Sequence, residues 1–198
     1  PNVAMDDIGT TKGTQNFSIR GIGINSSIAS VEPAVAIVVD GVYMGVSAGM
    51  VFDMFDLESI EVLRGPQGTL FGKNSTGGVI LVNTALPGDE TKQKARLAIE
   101  GGGPGGTNNI MQYSLSGPIN DVLKAKISIH RSDDSGYFKN SYDDSNHGQF
   151  KQNTIRLAFV YEPSDKFDIA LRIENSDQDG SGPAAQCHLG ANGTGCQS

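Results

Sequence analysis

Tryptophan is absent from the 198 residues, cysteine occurs twice and histidine three times. The longest apolar run, Ala34 to Val39, is ended by Asp40, well short of the ~18 residues a membrane-crossing helix requires. A helical membrane protein is therefore excluded. Basic residues are few beside acidic ones, 15 against 22. The resulting net charge of −7 argues against a nucleic-acid binder, because a phosphate backbone demands a basic patch. The histidines at 130, 147 and 188 are scattered, and Asp53, Asp56, Glu58 and Glu61 have no His or basic partner among them. No Ser-His-Asp or Cys-His arrangement exists, so the reading is of a non-enzyme with no catalytic residue and no cofactor.

Glycine, by contrast, is abundant: 26 residues, close to twice the usual share of roughly 7%. Aliphatic and aromatic residues recur in ordered patterns, which argues against disorder. Pro1-Asn2-Val3 opens without Met and without a charged or apolar leader segment, and Gln197-Ser198 closes inside a Gly/Ala/Asn/Thr stretch. The expectation is a piece of a longer chain.

Two halves follow different rules. Residues 1–85 hold short apolar runs at 35–39, 59–63 and 79–83, each the length of a strand in a small sheet. Between the first two, 51–57 predicts one short helix with Phe52, Phe55 and Leu57 on its apolar side. Residues 86–94 form a polar linker containing Pro87 and Gly88.

From 95 onward the pattern is strict alternation, over 95–100, 109–116, 123–130, 154–161 and 167–174. Large apolar residues fall on one parity, among them Leu97, Ile99, Leu115, Ile127, Leu157 and Leu171. Every formal charge in these segments lies on the other: Arg96, Glu100, Lys124, Lys126, Arg156, Asp168, Arg172 and Glu174. This predicts a two-faced antiparallel sheet. Alternation alone leaves open whether the apolar face meets a protein core or lipid. The connections favour lipid: 117–122 and 162–166 are short, whereas 131–153 and 175–198 are long and polar, as in outer-membrane barrels. Tyr161, Phe167, Tyr137 and Phe138 stand where aromatic girdles belong.

Specific motifs sharpen this. The blocks Phe17-Ser18-Ile19-Arg20-Gly21-Ile22-Gly23 and Val38-Val39-Asp40-Gly41-Val42-Tyr43 come first. Arg64-Gly65-Pro66-Gln67-Gly68-Thr69-Leu70-Phe71-Gly72 and Asn74-Ser75-Thr76-Gly77-Gly78 follow. In order and spacing these closely resemble the plug domain of TonB-dependent outer-membrane receptors. Ser116-Gly117-Pro118 and Asp134-Ser135-Gly136-Tyr137 resemble that family's early barrel, so the likeness covers essentially the whole chain. A phosphate-cradling loop fails on spacing: three residues separate Gly68 from Gly72, and Asn74 follows Lys73 where Ser or Thr is needed. Gly21-Ile22-Gly23 lacks the third glycine of a dinucleotide fingerprint.

The resemblance implies a membrane β-barrel of about 22 antiparallel strands, with about five of them here, and an N-terminal mixed α/β plug inside the lumen. It implies a plug over 1–85, a linker over 86–94 and barrel strands over 95–198, with the TonB box and the start of the plug lying upstream of Pro1. The implied function is TonB-dependent uptake of a scarce, bulky nutrient across the bacterial outer membrane, a ferric siderophore first. Implied partners are the inner-membrane TonB complex, outer-membrane lipid and an extracellular small-molecule ligand. A glycan, cobalamin or haem is the alternative cargo; a signalling receptor and a soluble Gly-rich β-domain that binds glycans are rival functions.

By the same resemblance, Arg20 and Arg64 are plug arginines that pair with carboxylates on the barrel wall. Gly21, Gly65, Gly68, Gly72, Gly77 and Gly78 are turn glycines that let the plug chain bend tightly against the barrel. Candidate ligand contacts at the plug apex are Asn25, Ser26, Ser27, Tyr43, Met44 and Ser47, whose amide, hydroxyl and aromatic groups suit a polar organic ligand; these are also ordinary turn residues. Cys187 and Cys196 lie in the last loop, outside by strand counting, where a disulfide fits an oxidising export route. A metal site with His188 is the rival, without recognisable zinc spacing.

Overall fold

The computed structural model describes residues 2–7, 15–23, 31–45, 55–103, 106–136, 138–140, 144–181, 188–189 and 196–197. The helix expected over 51–57 lies partly outside these residues. Within them, Phe55 and Asp56 form a turn and Leu57 already begins a strand, so that part is not helical.

The first half contains a hairpin of β1 (Val3–Asp7) with β2 (Gln15–Ile19) and a four-stranded mixed sheet. That sheet comprises β3 (Val35–Val39), β4 (Val42–Met44), β5 (Leu57–Arg64) and β6 (Gly78–Thr84), in the order β4-β3-β6-β5. β3 and β6 pair in parallel and the outer two pair antiparallel to them. The central strands bury both faces, which is why 35–39 and 79–82 read as unbroken apolar runs rather than as alternations. Ile19, Val35, Ile80 and Val82 form one cluster, and Ala36, Val38 and Val79 the other. Asp40 and Gly41 connect β3 to β4, both at positive φ (49° and 82°). This is the geometry a two-residue hairpin needs and Asp-Gly supplies. One helical turn, α1 (Gly68–Phe71), precedes β6 and is the only helix among the described residues.

The second half is a five-stranded antiparallel meander of long strands. They are β7 (Lys92–Gly103), β8 (Gly106–Asn120), β9 (Leu123–Asp134), β12 (Phe150–Ser164) and β13 (Phe167–Gly180). The two-residue pieces β10 (Phe138–Lys139) and β11 (Asn146–His147) pair in the link between β9 and β12. β14 (His188–Leu189) pairs with β15 (Cys196–Gln197) after β13. At one end the strands meet in two-residue turns; Asn120 Oδ1 accepts from the amides of Val122 and Leu123 at 3.0 and 2.9 Å and sets the first of them. At the other end β9 and β12 are joined by the long 135–149 link, whereas β7 and β8 close with Gly103 opposite Gly106.

The faces are reversed relative to a sheet that covers a water-soluble core. Leu97 and Ile99 on the apolar parity are 79% and 78% exposed, whereas Gln112, Ser114 and Ser128 on the polar parity are 3%, 8% and 6% exposed. A sheet that hides hydroxyls and amides while displaying leucine and isoleucine is built for lipid outside and a polar interior. Leu157, at the middle of β12 and opposite Ile127 and Ile173, reports on this directly. Leu157→Arg is expected to destabilise the complete barrel in bilayers by about 2–4 kcal/mol, read as a lower urea midpoint. An unchanged midpoint would contradict the lipid-facing assignment.

Candidate functional site

The plug sheet's topology defines its two ends. β3 and β6 run the same way, so the start of β3, the exit of β4 and the 65–77 connection gather at one end. The Asp40-Gly41 turn, the Phe55-Asp56 turn and Ala85 gather at the other. This second end is fastened to the barrel wall close to its short turns.

There, Asp56 and Lys126 form an ion pair in which each side chain is 8% exposed. Lys126 Nζ also donates to the Ala85 carbonyl at 2.9 Å, and the Ala85 amide donates to the Asp56 carbonyl at 3.0 Å. Ser128 Oγ donates to Asp56 Oδ2 at 2.5 Å, and Arg156 lies 4.0 Å from the same oxygen. Arg156 in turn binds Glu174 at 2.6 Å. Phe55 is buried, with Lys94 of β7 over its ring at 5.3 Å from the centroid. Asp56 holds φ at 122°, a conformation that costs of order 1–3 kcal/mol and persists because these partners impose it. A small cavity of about 20 Å³ between Phe55, Asp56, Ser128, His130, Thr154 and Arg156 is polar and the size of a water.

Asp40 makes the second attachment. Its carboxylate accepts from the Thr84 amide and hydroxyl, both at 2.8 Å, and lies 3.4 Å from Arg172 Nε on β13. Asp56 and Asp40 thus both meet cations projecting from the wall.

A third contact clips the linker. Lys124 reaches Asp89 at 2.6 Å and Glu162 at 2.7 Å. The Lys124 hydrogen bond, then its charge, holds the Asp89 carboxyl below its usual range. A carboxyl lowered on folding stabilises above its unfolded pKa of about 3.9 and loses that contribution as pH falls through the folded value. The clip is therefore expected to stay closed at neutral pH and to open only in acid below about pH 4. Amide exchange of 86–91 against pH measures it; opening between pH 5 and 7 would contradict it.

At the opposite end, Tyr43 and Met44 sit on β4, half-buried. The Tyr43 hydroxyl accepts from Asn74 Nδ2 at 2.8 Å, which joins β4 to the 65–77 connection. Lys73 pairs with Glu32 beside it, and the Glu32 hydrogen bond raises the Lys73 pKa. Of the sequence candidates for this apex, Tyr43 and Met44 are placed there; Asn25, Ser26, Ser27 and Ser47 lie outside the described residues. So does Cys187, and the Cys196 side chain with it.

Arg20 and Arg64 are exposed, and among the described residues neither forms an ion pair. The attachments found here have the opposite polarity, with carboxylate on the plug and cation on the wall. Asp56 had a sequence signal, being one acid among four in a block with no basic partner; its partners lie some 70 residues further on and only the fold brings them close. Gly21, Gly65, Gly72 and Gly78 have positive φ, whereas no such angle occurs at Gly68 or Gly77. What crowds Gly77 and Gly78 is the plug itself, Ile22 and Val35 in one case, Leu63 and Ile19 in the other, rather than the barrel wall.

Comparison with known proteins agrees with this architecture. The family model for the TonB-dependent Receptor Plug Domain matches residues 1–79. The pesticin receptor of Yersinia enterocolitica is 39% identical over 126 residues, 63% of this chain and 18% of the relative. The vitamin B12 transporter of Vibrio vulnificus is 28% identical over 177 residues, covering 84% of this chain and 28% of its own length. The crystal structure of the ferric yersiniabactin uptake receptor from Yersinia pestis superposes with a TM-score of 0.73 at 28% identity, over 92% of this chain and 28% of that one. The chain thus spans less than a third of the length of each of these relatives.

Proposed function

We propose that the chain belongs to the TonB-dependent receptors, as the match of residues 1–79 to the plug-domain model and the likeness to these receptors support, and that the complete protein imports a ferric siderophore across the bacterial outer membrane, with the plug closing the barrel until TonB acts. The observation that carries the proposal is the seam itself. A plug held to a polar inner wall by a few buried ionic and hydroxyl contacts, inside a sheet whose other face is apolar, is a closed but displaceable gate. Buried polar seams of this kind can exchange their partners for water, which an apolar seam cannot do cheaply. The iron-chelate receptors among the relatives support iron as the cargo; the vitamin B12 transporter supports cobalamin as the second reading.

In this proposal the energy comes from the inner-membrane TonB complex, the 24–28 and 43–47 segments face the incoming ligand, and Tyr43 and Asn74 shape the apex. Arg20 and Arg64 lock the plug to carboxylates elsewhere on a complete barrel, and Cys187 and Cys196 close an external loop. The protein performs no catalysis and carries no cofactor. The test is growth of receptor-deficient, iron-starved cells that carry the full gene. A ferric siderophore should restore growth only when TonB is present. TonB-independent growth would sink the gating reading, and restoration of cobalamin uptake alone would select the other cargo.

A further inference from the structure

The register of the meander aligns the inward residues of β7, β8, β9, β12 and β13 in rows, because directly opposed residues share a face. Three consecutive rows, beginning at Lys92, Lys94 and Arg96 on β7, form a belt. The first continues through Lys126 to Arg172, the second through Arg156 to Glu174, and the third through Gln112, His130 and Thr154. The belt therefore holds six Lys or Arg side chains against one wall carboxylate, in a chain whose net charge is −7. At rest the plug's Asp56 meets Lys126 and Arg156, and its Asp40 meets Arg172. Lys94 lies over the Phe55 ring and Lys92 pairs with the linker's Glu90. The cations thus sit along the surface that the plug must uncover when it moves, and they are matched at rest mainly by carboxylates that move with it.

We infer that this belt is a transit site for anionic cargo: Asp40 and Asp56 occupy three of its six cations, Lys126, Arg156 and Arg172, at rest, and an anionic ferric chelate takes their place as the plug is displaced. The inference rests on the uptake reading above and adds the charge of the substrate. Clefts lined by one sign of charge concentrate the opposite sign, and low-dielectric walls strengthen the effect. The exchange also lowers the cost of moving the plug, since the buried Lys126 is never left without a counter-charge.

The experiment uses the full receptor in cells and two radioactive iron probes, a trianionic ferric tris-catecholate and an uncharged ferric tris-hydroxamate. Surface binding and internalisation are measured separately. In Lys92→Gln/Lys94→Gln/Arg96→Gln, which breaks no plug ion pair, internalisation of the trianionic probe is expected to fall about tenfold relative to the uncharged one, with surface binding within about twofold of wild type. Asp56→Asn/Lys126→Gln keeps a neutral hydrogen-bonded pair at the seam and is expected to act in the same direction, so the inference does not depend on one variant folding. Wild-type import of the uncharged probe alone, or an unchanged ratio of the two in both variants, overturns the belt while leaving uptake intact. Failure of the wild type to internalise either probe overturns the ferric-siderophore reading and the belt together.

Discussion

Asp56→Ala is expected to unseat the lower end of the plug, at a cost of about 3–5 kcal/mol to its attachment. The magnitude follows from what remains. Lys126 is as buried as Asp56 and would keep its charge with only the Ala85 carbonyl as a partner, and an uncompensated buried charge is among the costliest defects a fold can carry. Ser128 and Arg156 lose an acceptor at the same time. Hydrogen exchange on the complete receptor should show segments 55–64 and 78–85 losing protection while the barrel strands keep theirs. Two further variants separate charge from shape. Asp56→Asn preserves the outline and the Ser128 contact and should cost less. Asp56→Ala/Lys126→Met removes both charges and should recover much of the loss, since an apolar replacement of a buried pair is often close to neutral. If Asp56→Ala leaves plug protection unchanged, the seam is not what holds the plug.

Gly78→Ala is the second large effect, of about 3 kcal/mol or more, because overpacking and backbone strain coincide. Gly78 opens β6 and is paired on both sides, with Val35 in parallel and Arg64 antiparallel. Its φ is 147°, and a Cβ built there would lie 2.3 Å from the Leu63 carbonyl oxygen and 2.7 Å from Ile19 Cδ1. Neither the strand nor the buried Ile19 can step aside without opening the larger core cluster. Gly65→Ala is the control: its φ is 89°, yet nothing lies within 4 Å of the added carbon, so only the conformational cost of about 1–2 kcal/mol applies. Limited proteolysis of the folded receptor should find the plug cleaved in Gly78→Ala and largely protected in Gly65→Ala. Equal protection would contradict the close approach.

Much of this architecture was legible in the residues. The meander announced itself through parity, because a strand's side chains alternate with period two and a wall between lipid and a polar lumen enforces opposite chemistry on its faces. The runs at 35–39 and 79–83 announced central strands, because a doubly buried strand has no polar side to show. The plug's identity was legible in its glycine-punctuated motifs. The segment before β5 departs from its local pattern: the spacing of Phe52, Phe55 and Leu57 has helical period, but Phe55 and Asp56 turn to meet Lys94 and Lys126 of the wall, and these long-range partners override a local period.

The fold class, the two-faced sheet and the likeness to a plug domain were all carried by the sequence, because each is encoded in local periodicity or in short motifs. How the plug is held emerges only on folding. The link joins Asp56 to side chains some 70 residues away, and no periodicity records which carboxylate will face which cation. Folding also decided that the wall's charges form a belt: rows across a sheet are fixed by strand register, and register exists only once the strands have paired.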